Sequence, residues 1–383
     1  MTNSQDIRVE IIRDIQSLKA LEEVWNCLLE KSSEKNPFLS FSWIYTWWEV
    51  FGKNRQLFVI VVYSKSQIIG IFPLMISDEA HFFFTIRRIQ FIGIRKSDYL
   101  GPILTEKPEL CWRVAIESIY KHRKLWDAVE FGRMRGESNS YQQLLKILDK
   151  RGFIRQIARQ DKDCKGCPAI LIEGSWEQYF KQQMSDKGRE TARRKLRKIE
   201  KAGNVSFSET GKGERLEDIL EGIAALERKS WKGREGNGIF QSESDREFFF
   251  KISSAFAESG WLSIYTLRVN EQPIAFFFGF KYNNRYYYYN SSYDSLWKSC
   301  SPSLLLLMKI IQDCFENNFK EVDFLQGEEN YKLKLSNKIW NIYKVLLFHG
   351  GYRSTLLFYL EKHLHPIAVS IKKKILNRSH EKY

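Results

Sequence analysis

The stretch that decides the fold covers residues 261–332 and reads WLSIYTLRVNEQPIAFFFGFKYNNRYYYYNSSYDSLWKSCSPSLLLLMKIIQDCFENNFKEVDFLQGEENYK. Three apolar runs rich in strand-forming residues come first, at 261–269, 273–282 and 285–293. A polar loop, a long apolar helix and the short strand VDFLQ follow. The pattern predicts a β-β-β-α-β unit in which a helix N-terminus faces the strand ends, an arrangement that suits an anionic ligand.

Composition sets the broad class of the protein. The chain has 383 residues, of which 43% are hydrophobic and 15% aromatic, so it is long enough for two or three domains and predicts a globular protein. Its net charge of +14 predicts an anionic partner, which could be a nucleic acid, a phosphorylated cofactor or a membrane surface. A basic, solvated face without a partner is the alternative.

Several function classes have no support in the sequence. The start of the chain lacks a signal-peptide pattern, and no apolar run reaches the ~20 residues of a membrane span. Of the six cysteines, only Cys164 and Cys167 have metal-like spacing, and one such pair is weak evidence for zinc. The phosphate-loop, dinucleotide, zinc-protease and serine-hydrolase motifs are absent. We therefore expect reduced thiols, a cytoplasmic location and no metal.

The chain contains an approximate repeat. Leu57–Ile76 can be laid on Leu262–Lys281 without a gap, with both hairpin turns in register, and Val129-Glu130-Phe131 then matches Val322-Asp323-Phe324 further on. This order predicts two copies of one α/β fold. The polar stretch around 161–166 is the candidate boundary, so we expect domains at 1–162 and 163–350, followed by a basic amphipathic helical tail at 351–383 that is broken at Pro366.

The helix of the second copy begins at a candidate phosphate site. Ser301 suits an N-cap and Pro302 suits the first helical position, so the helix is expected to start there. Its free N–H groups, with Lys298 and the hydroxyls of Ser299 and Ser303, could bind a pyrophosphate. A plainly capped, buried helix is the alternative. The first copy has a longer irregular segment at this point, so no comparable helix start is expected in it.

The acidic end of the last strand is the candidate catalytic segment. Asp323 lies in a buried-looking strand and needs a partner, for which Lys332 is a candidate. Gly327 allows a tight turn that would aim Glu328 over the strand end, where a carboxylate could take a proton from an attacking amine or hydroxyl. A structural Asp–Lys pair beside a solvated loop explains the same residues.

Two further segments allow both a structural and a functional reading. Tyr286–Tyr289 alternate across a strand, so two rings face each side, where they pack the core or line a pocket. Residues 187–201 form a helix with arginine or lysine on nearly every face, which is either solvated or in contact with phosphates.

A set of segments resembles one family in content and order. The set is PFLSFSWIYTWWEVFG (37–52), IIGIFPL (68–74), SDYLGP (97–102), CPAILIEGSWEQYF (167–180), DKGRETARRKLRKIEKAG (186–203), KSW (229–231), QPIAFFFGF (272–280), YYYNSSYD (287–294), SPSLLLL (301–307) and DFLQGEENYKLKL (323–335). Over roughly 37–340 the chain resembles the CelD-like, cellulose-biosynthesis type acyltransferases of the GNAT superfamily. Fem-type peptidyltransferases are relatives of this family.

The resemblance implies two GNAT-like α/β domains with mixed, mostly antiparallel sheets flanked by helices. It also implies transfer of an acyl group from acetyl-CoA or another acyl-CoA to an amine, amino sugar or hydroxyl, often in envelope or exopolysaccharide metabolism. The first domain would be non-catalytic and would lend a wall of the substrate cleft.

Site residues follow from the matching positions. The implied catalytic residues are Asp323, Glu328, Tyr331 and Lys332. The implied cofactor-binding residues are Tyr287, Tyr289, Lys298, Ser299, Ser301 and Ser303, and the substrate-side candidates are Trp43, Trp47, Asp98, Tyr99 and Trp231. The chain departs from the pattern by lacking the Gln/Arg-x-x-Gly-x-Gly/Ala phosphate loop and by having Pro302-Ser303 where relatives usually have Pro-Gly.

Three functions remain open at this point. The first is an acyl-CoA-dependent N- or O-acyltransferase. The second is a Fem-type transferase that takes its acyl group from aminoacyl-tRNA. The net charge and the basic helix are the observations that suggest it. The third is a non-catalytic assembly protein of polysaccharide export, which would touch an anionic membrane surface peripherally through the basic tail.

Overall fold

The computed structural model describes residues 7–81, 84–149, 155–161, 166–209, 215–236 and 238–364. The chain forms two compact units. The first unit comprises Met1–Trp48, Gly52–Asp163 and Ile342–Tyr383, and the second comprises Glu49–Phe51 and Cys164–Asn341. Both units contain a mostly antiparallel sheet flanked by helices, which confirms the predicted α/β class.

The first unit begins with one strand and three helices and continues with a run of strands. Its elements are β1 (Ile7–Ile12), α1 (Ile15–Lys19), α2 (Glu22–Lys31), α3 (Phe41–Phe51), β2 (Arg55–Leu57), β3 (Val59–Ser64), β4 (Gln67–Phe72), β5 (Leu74–His81), β6 (Phe84–Phe91), β7 (Ile103–Leu104), α4 (Pro108–Lys121), β8 (Ala128–Arg135), α5 (Asn139–Leu148) and β9 (Arg155–Gln160). Strands β1, β3, β4 and β7 pair antiparallel in that order. Strands β2, β5 and β6 pair antiparallel, and β6 pairs parallel with β8.

Helix α4 covers the apolar face of these strands. Trp112 of α4 is fully buried and packs edge-on against Phe72 and Phe131, with ring centroids 4.9 and 5.1 Å away. Its indole N–H donates to the Ser140 hydroxyl at 3.0 Å. The aromatic residues that make the sequence look strongly globular therefore form the core of this unit.

Residues 352–364 belong to the first unit. Helix α13 (Tyr352–Tyr359) continues as a turn of π-helix over Leu360–Leu364. Leu357 is buried in a cluster with Leu346 and Phe348, and Arg159 pairs with Glu361 at 2.7 Å. The remainder of the predicted tail, including Pro366 and the lysine run, lies outside the described residues.

The second unit contains residues 261–332. Its elements are β10 (Gly166–Leu171), α6 (Trp176–Gln183), α7 (Asp186–Glu200), β11 (Val205–Glu209), α8 (Leu216–Lys229), α9 (Trp231–Glu235), α10 (Glu243–Glu258), β12 (Leu262–Val269), β13 (Gln272–Tyr282), β14 (Arg285–Tyr293), α11 (Pro302–Glu316), β15 (Glu321–Asp323), α12 (Asn330–Leu335) and the start of β16 (Lys338–Phe348), which belongs to the first unit from Ile342 onward. The predicted β-β-β-α-β unit is confirmed as β12, β13, β14, α11 and β15.

One sheet organises the second unit. Its strands are ordered β11-β12-β13-β14-β15-β10, and every pair is antiparallel except β14–β15. Residues 338–341 of β16 pair antiparallel with β10, whereas 342–348 pair with β8 and β9 in the first unit. Helix α11 buries Leu306, Ile310 and Ile311 in the core cluster that also holds Phe277 of β13.

The predicted repeat has a structural counterpart. The matched segments form the hairpin β3–β4 in one unit and the hairpin β12–β13 in the other. The second matched pair lies in β8 and at β15, and each of these strands pairs parallel with an earlier strand of its own unit, β8 with β6 and β15 with β14. The same order of pairings occurs in both units because the same alternation of apolar strands recurs in the sequence.

Candidate functional site

The candidate site lies where the parallel strands β14 and β15 separate. Strand β14 pairs with β15 only from Arg285 to Tyr287, because β15 ends at Asp323 while β14 continues to Tyr293. On its other edge β14 carries an irregularity, since the register with β13 shifts beside Tyr289. A bulge next to an open strand edge re-aims the following side chains.

A cavity of about 360 Å³ lies beside this part of β14. One side is apolar, and the rest carries hydroxyls, two lysines and a carboxylate. The lining residues are Lys232, Phe277, Tyr288, Ser291, Ser292, Tyr293, Lys298, Ser301, Ser303, Leu304, Leu307, Glu329 and Tyr331. A concave apolar pocket with a few polar groups is the usual form of a small-molecule site.

Helix α11 starts at the cavity, as predicted, but not through a side-chain cap. Ser301 occupies the N-cap position in the left-handed region, with φ 48°, and its side chain accepts no bond from the helix. Instead the Ser301 hydroxyl accepts a hydrogen bond from Lys195 Nζ at 2.6 Å. The hydroxyl is thus turned toward a cation, and the predicted capping role of Ser301 is wrong.

The first unit has a similar helix start, contrary to the prediction that it lacks one. Helix α4 begins at Pro108 after Lys107, which is also left-handed, with φ 45°, and has no side-chain cap. The irregular segment before α4 concealed this equivalence in the sequence. What distinguishes α11 is the basic helix at its start.

Helix α7 brings a cluster of cations to the start of α11. A second cavity, of about 500 Å³, is lined by Arg194, Lys195, Arg197, Lys198, Lys201 and Ser299. Lys198 Nζ donates to the Ser299 hydroxyl at 3.0 Å, in the same way that Lys195 reaches Ser301. Lysines on one face of α7 and the N-terminal end of α11 therefore share one positive region, which suits phosphate groups.

A chain of hydroxyl groups crosses the first cavity. The Tyr331 hydroxyl lies 2.9 Å from that of Tyr288, which lies 2.6 Å from Ser291 Oγ. Burial raises the pKa of Tyr331, and the neighbouring Tyr288 raises it further. Tyr331 therefore stays protonated at neutral pH and can act as a proton donor.

Lys232 faces the cavity from α9. Its Nζ donates to Asn290 Oδ1 at 2.8 Å and to the Ser291 carbonyl at 2.9 Å. Burial lowers the pKa of Lys232, and the charge of Lys332 lowers it further, against the carboxylates of Glu227 and Glu329. The ammonium is therefore held at a fixed point of β14 in a poorly solvated place.

The buried carboxylate of Glu227 orients the amide that binds Lys232. Glu227 is 1% exposed and accepts hydrogen bonds from the backbone N–H groups of Ile239 at 3.0 Å and Phe240 at 2.9 Å, and from Asn290 Nδ2 at 2.9 Å. Because the Asn290 amide donates to Glu227, its oxygen is turned toward Lys232. The carboxylate thus fixes both a loop and the amide that orients the lysine.

The acidic loop places Glu329 at the cavity. Gly327 has φ +124°, a backbone conformation that residues with a Cβ rarely adopt, so this turn favours glycine. Lys332 is 5% exposed, donates to the Gln326 carbonyl at 2.8 Å and pairs with Glu329 at 3.1 Å. Lys332 therefore holds the loop and its carboxylate in place.

The two carboxylates chosen from the sequence lie elsewhere. Asp323 is fully buried, and its Oδ1 accepts the Leu325 N–H at 2.8 Å, which shapes the turn after β15. Glu328 is exposed and extends toward Gly166 of β10, where a Cβ would lie 3.5 Å from Glu328 Oε1. The carboxylate that lines the cavity is Glu329, the next residue along.

The predicted alternation of the tyrosines is present, and it brings Tyr288 to the cavity. Tyr286 and Tyr288 belong to the core cluster beneath α11. Tyr289 packs against Phe249 of α10 at 5.5 Å, and Tyr287 is 1% exposed beside Arg285. Since neighbouring residues of a strand face opposite sides, Tyr287 and Tyr289 turn away from the cavity that Tyr288 lines.

The remaining sequence candidates fall into three groups. Lys298, Ser301 and Ser303 line the first cavity, and Ser299 lines the second. In the first unit Trp43, Trp47 and Tyr99 are buried, Trp43 donates to Ser97 Oγ at 2.9 Å, and Asp98 is half-buried. Trp231 begins α9, and its side chain lies outside the described residues. A role of these five residues in substrate binding stays a prediction.

Sequence reasoning missed Lys232, Asn290, Glu227 and Glu329. Asn290 lies inside YYYNSSYD and Lys232 directly follows KSW, so both adjoin quoted motifs without a signal of their own. Their importance comes from contacts 58 and 63 residues apart in the chain. In the part of the chain that the structure describes, no group of three or more His, Cys, Asp or Glu residues is arranged to hold a metal ion.

The segment that contains both cavities is similar to a known family of domains. Residues 186–333 match the family model described as an acetyltransferase (GNAT) domain, and this segment contains every lining residue of both cavities. No curated protein matches the sequence. Among the described helices, none combines the length and apolar character needed to span a membrane.

Solved structures show the same fold across nearly the whole chain. FemX is 11% identical with a TM-score of 0.59 and covers 92% of this chain and 99% of its own. A conserved protein of unknown function from Bacteroides thetaiotaomicron is 15% identical with a TM-score of 0.55, over 89% and 100%. The C-terminal domain of a putative lysylphosphatidylglycerol synthetase from Agrobacterium fabrum is 11% identical with a TM-score of 0.52, over 91% and 97%.

The chain has the predicted fold of two α/β domains, which it shares with FemX, and the matched acetyltransferase (GNAT) segment lies in the second unit.

Proposed function

We propose that the protein transfers an acyl group from acyl-CoA to an amine, amino sugar or hydroxyl acceptor. The observation that carries this proposal is the meeting of three features at one cavity: the parted strand β14, the cation-flanked start of α11, and the hydroxyl of Tyr331. The fold class supports acyl transfer, and the arrangement of charges supports a donor that carries phosphates.

The residues present fit such a donor. Ser303 Oγ and Ser292 Oγ are buried at the cavity without a hydrogen-bond partner among the described residues, so both can bond a bound molecule. The lysines of α7 with Ser299 and Ser301 would hold the pyrophosphate and take over the task of the missing glycine-rich loop. The apolar side of the cavity, with Phe277, would hold the acyl group.

Two polar residues of the cavity would each carry out one proton transfer of the reaction. Glu329 would accept the proton of the attacking amine or hydroxyl, directly or through water. Tyr331 would donate a proton to the departing thiolate, because its protonated hydroxyl lines the cavity and is oriented by that of Tyr288. No covalent enzyme intermediate is needed, because the acceptor attacks the thioester directly.

The acceptor and its setting are the finer part of the proposal. The resemblance of the quoted motifs to CelD-like acyltransferases supports an amino sugar or other saccharide of envelope or exopolysaccharide metabolism, handled in the cytoplasm. Glucosamine is therefore the first acceptor to test.

A second candidate is transfer from aminoacyl-tRNA. The observation that favours it is the exposed basic cluster of α7, which would suit the phosphates of a nucleic acid as well as those of coenzyme A. The likeness of the fold to FemX is compatible with both candidates.

Calorimetry separates these candidates. The full chain is titrated with acetyl-CoA and, separately, with bulk tRNA at two salt concentrations, and release of the free thiol is followed with glucosamine as acceptor. Saturable binding of acetyl-CoA and thiol release that depends on glucosamine are expected. Salt-sensitive tRNA binding without any acetyl-CoA binding would support the second candidate and refute the first.

A further inference from the structure

We propose that Lys232 stabilises the negative charge that forms on the acyl carbonyl oxygen during transfer. This inference rests on the proposed function and assigns a catalytic residue that neither the motifs nor the matched domain indicates. It is carried by the position of the Lys232 ammonium, which lines the cavity and is bonded to β14 beyond the point where this strand parts from β15.

The ammonium has room for one more bond. A lysine ammonium carries three N–H donors, and two of those of Lys232 go to Asn290 Oδ1 and the Ser291 carbonyl. The third is left for the cavity that Lys232 lines. Both acceptors belong to β14, so the donor is aimed by the strand and not by a flexible loop.

Lys232 makes no direct bond to a carboxylate among the described residues, since both of its hydrogen-bond acceptors are neutral. Glu227 and Glu329 act on its charge from a distance, and Glu227 already accepts three hydrogen bonds from other residues. A poorly solvated cation without a directly bonded counter-ion is costly to keep, and an anion that forms in the cavity would offset this cost.

The geometry favours an oxyanion over the alternatives for this lysine. A protonated lysine has no lone pair, so it cannot take a proton, and Glu329 is placed to do so. Tyr331 is the neutral proton donor. The remaining task in acyl transfer is to stabilise charge on the carbonyl oxygen, which we place at the open edge of β14 beside Ser291 and Lys232.

These residues account for every electron pair and proton that moves during acyl transfer. The acceptor lone pair attacks the carbonyl carbon, and the carbonyl π pair moves to the oxygen, whose charge Lys232 stabilises. The intermediate then reforms the carbonyl and expels the thiolate, which takes a proton from Tyr331, while the acceptor proton passes to Glu329. A proton then returns from Glu329 to Tyr331 through solvent, and Lys232 keeps its protons throughout.

The test compares Lys232→Met with Lys229→Met, which removes an exposed lysine three residues earlier on α8. For Lys232→Met we expect kcat to fall about 100-fold, the size seen when one oxyanion donor is removed, with the Kd for acetyl-CoA changed less than threefold. Lys229→Met is expected to keep the wild-type kcat. Circular dichroism checks that each variant is folded, and Lys232→Gln, which keeps an N–H donor without the charge, replaces a Met variant that does not fold.

A second readout does not depend on turnover. Infrared difference spectra of bound acetyl-CoA labelled with ¹³C at the carbonyl should show a carbonyl band at lower frequency on the wild type than in solution, and this shift should shrink in Lys232→Met. Unchanged kcat and an unchanged band in a folded variant would overturn the inference while leaving the acyltransferase intact. A rise in the acceptor KM alone would overturn it too, because it would assign Lys232 to acceptor binding. Failure of the wild type to bind acetyl-CoA would refute the proposed function itself.

Discussion

At the scale of single residues, the chemistry of the site depends on which member of a short motif faces the cavity. Glu328 and Glu329 are neighbours, yet Glu329 lines the cavity and Glu328 extends toward Gly166. In the same way Tyr288 lines the cavity while Tyr287 and Tyr289 face away. A sequence motif locates the segment, whereas the local backbone conformation determines which of its side chains faces the cavity.

Tyr331→Phe tests the proposed proton donor. The change removes the hydroxyl that contacts Tyr288 and keeps the ring, so kcat for acyl transfer should fall about 100-fold while the Kd for acetyl-CoA stays near that of the wild type. Steady-state kinetics with glucosamine and calorimetry supply the two numbers. Tyr359→Phe, at a tyrosine that is 51% exposed in the first unit, is the matched control. A Tyr331→Phe enzyme with wild-type kcat would exclude this residue as the acid.

At the scale of secondary structure, the informative contact is that of α7 with the start of α11. The sequence predicts a helix with charges on nearly every face, from which no binding side can be chosen. In the structure Ala192 and Ile199 are buried, which orients the helix, and Lys195 and Lys198 then reach the serines before α11. Two apolar residues among many charges thus decide which cations form the site.

Replacing both lysines tests this contact. The double variant Lys195→Ala and Lys198→Ala should bind acetyl-CoA about 10-fold more weakly and with a shallower dependence on salt, because two phosphate-directed cations are lost. Calorimetry at two salt concentrations measures both effects. The control is Lys181→Ala with Lys187→Ala, which removes the same charge from exposed positions of α6 and α7. Equal weakening in both double variants would mean that only net charge matters.

At the scale of the whole chain, each unit has its own core and its own buried ion pairs. In the first unit Asp127 is 2% exposed and lies 3.6 Å from Arg353. It accepts three hydrogen bonds from Arg87, one from the backbone N–H at 3.0 Å and two from the guanidinium at 3.2 and 2.9 Å. Burial by itself raises the pKa of Asp127, but the hydrogen bonds and charges of Arg87 and Arg353 outweigh it and lower the pKa overall.

This pair predicts an acid-sensitive contribution to stability. A carboxyl whose pKa is lower in the folded state stabilises the fold above its unfolded pKa of about 3.9, and the contribution is lost as pH falls through the folded value. Asp127→Asn should therefore lower the free energy of unfolding by about 2 kcal/mol at pH 7, with the difference from wild type shrinking below about pH 4. Urea denaturation at several pH values measures this. Glu109→Gln, at an exposed pair with Arg113, should change little, and a pH-independent loss in Asp127→Asn would contradict the linkage.

Much of the fold was predictable because its determinants are local. The runs at 261–269, 273–282 and 285–293 became β12, β13 and β14 with shifts of a residue or so at their ends. The helix start at Pro302 was also confirmed, and the basic helix predicted over 187–201 is α7, over 186–200. The side-chain role of Ser301 was not predictable, since a left-handed backbone and a lysine 106 residues away turn its hydroxyl outward.

The sequence by itself determined the class of fold, the repeat and the segment that carries the site, because apolar periodicity and helix or strand signals act over a few residues. Only the tertiary structure decided which residues meet. Lys232 with Asn290 and Tyr288 with Tyr331 are contacts across 58 and 43 residues of chain, made where β14 bulges and leaves β15. Such contacts depend on side-chain directions set by register and bulge, and no local pattern in the sequence records these.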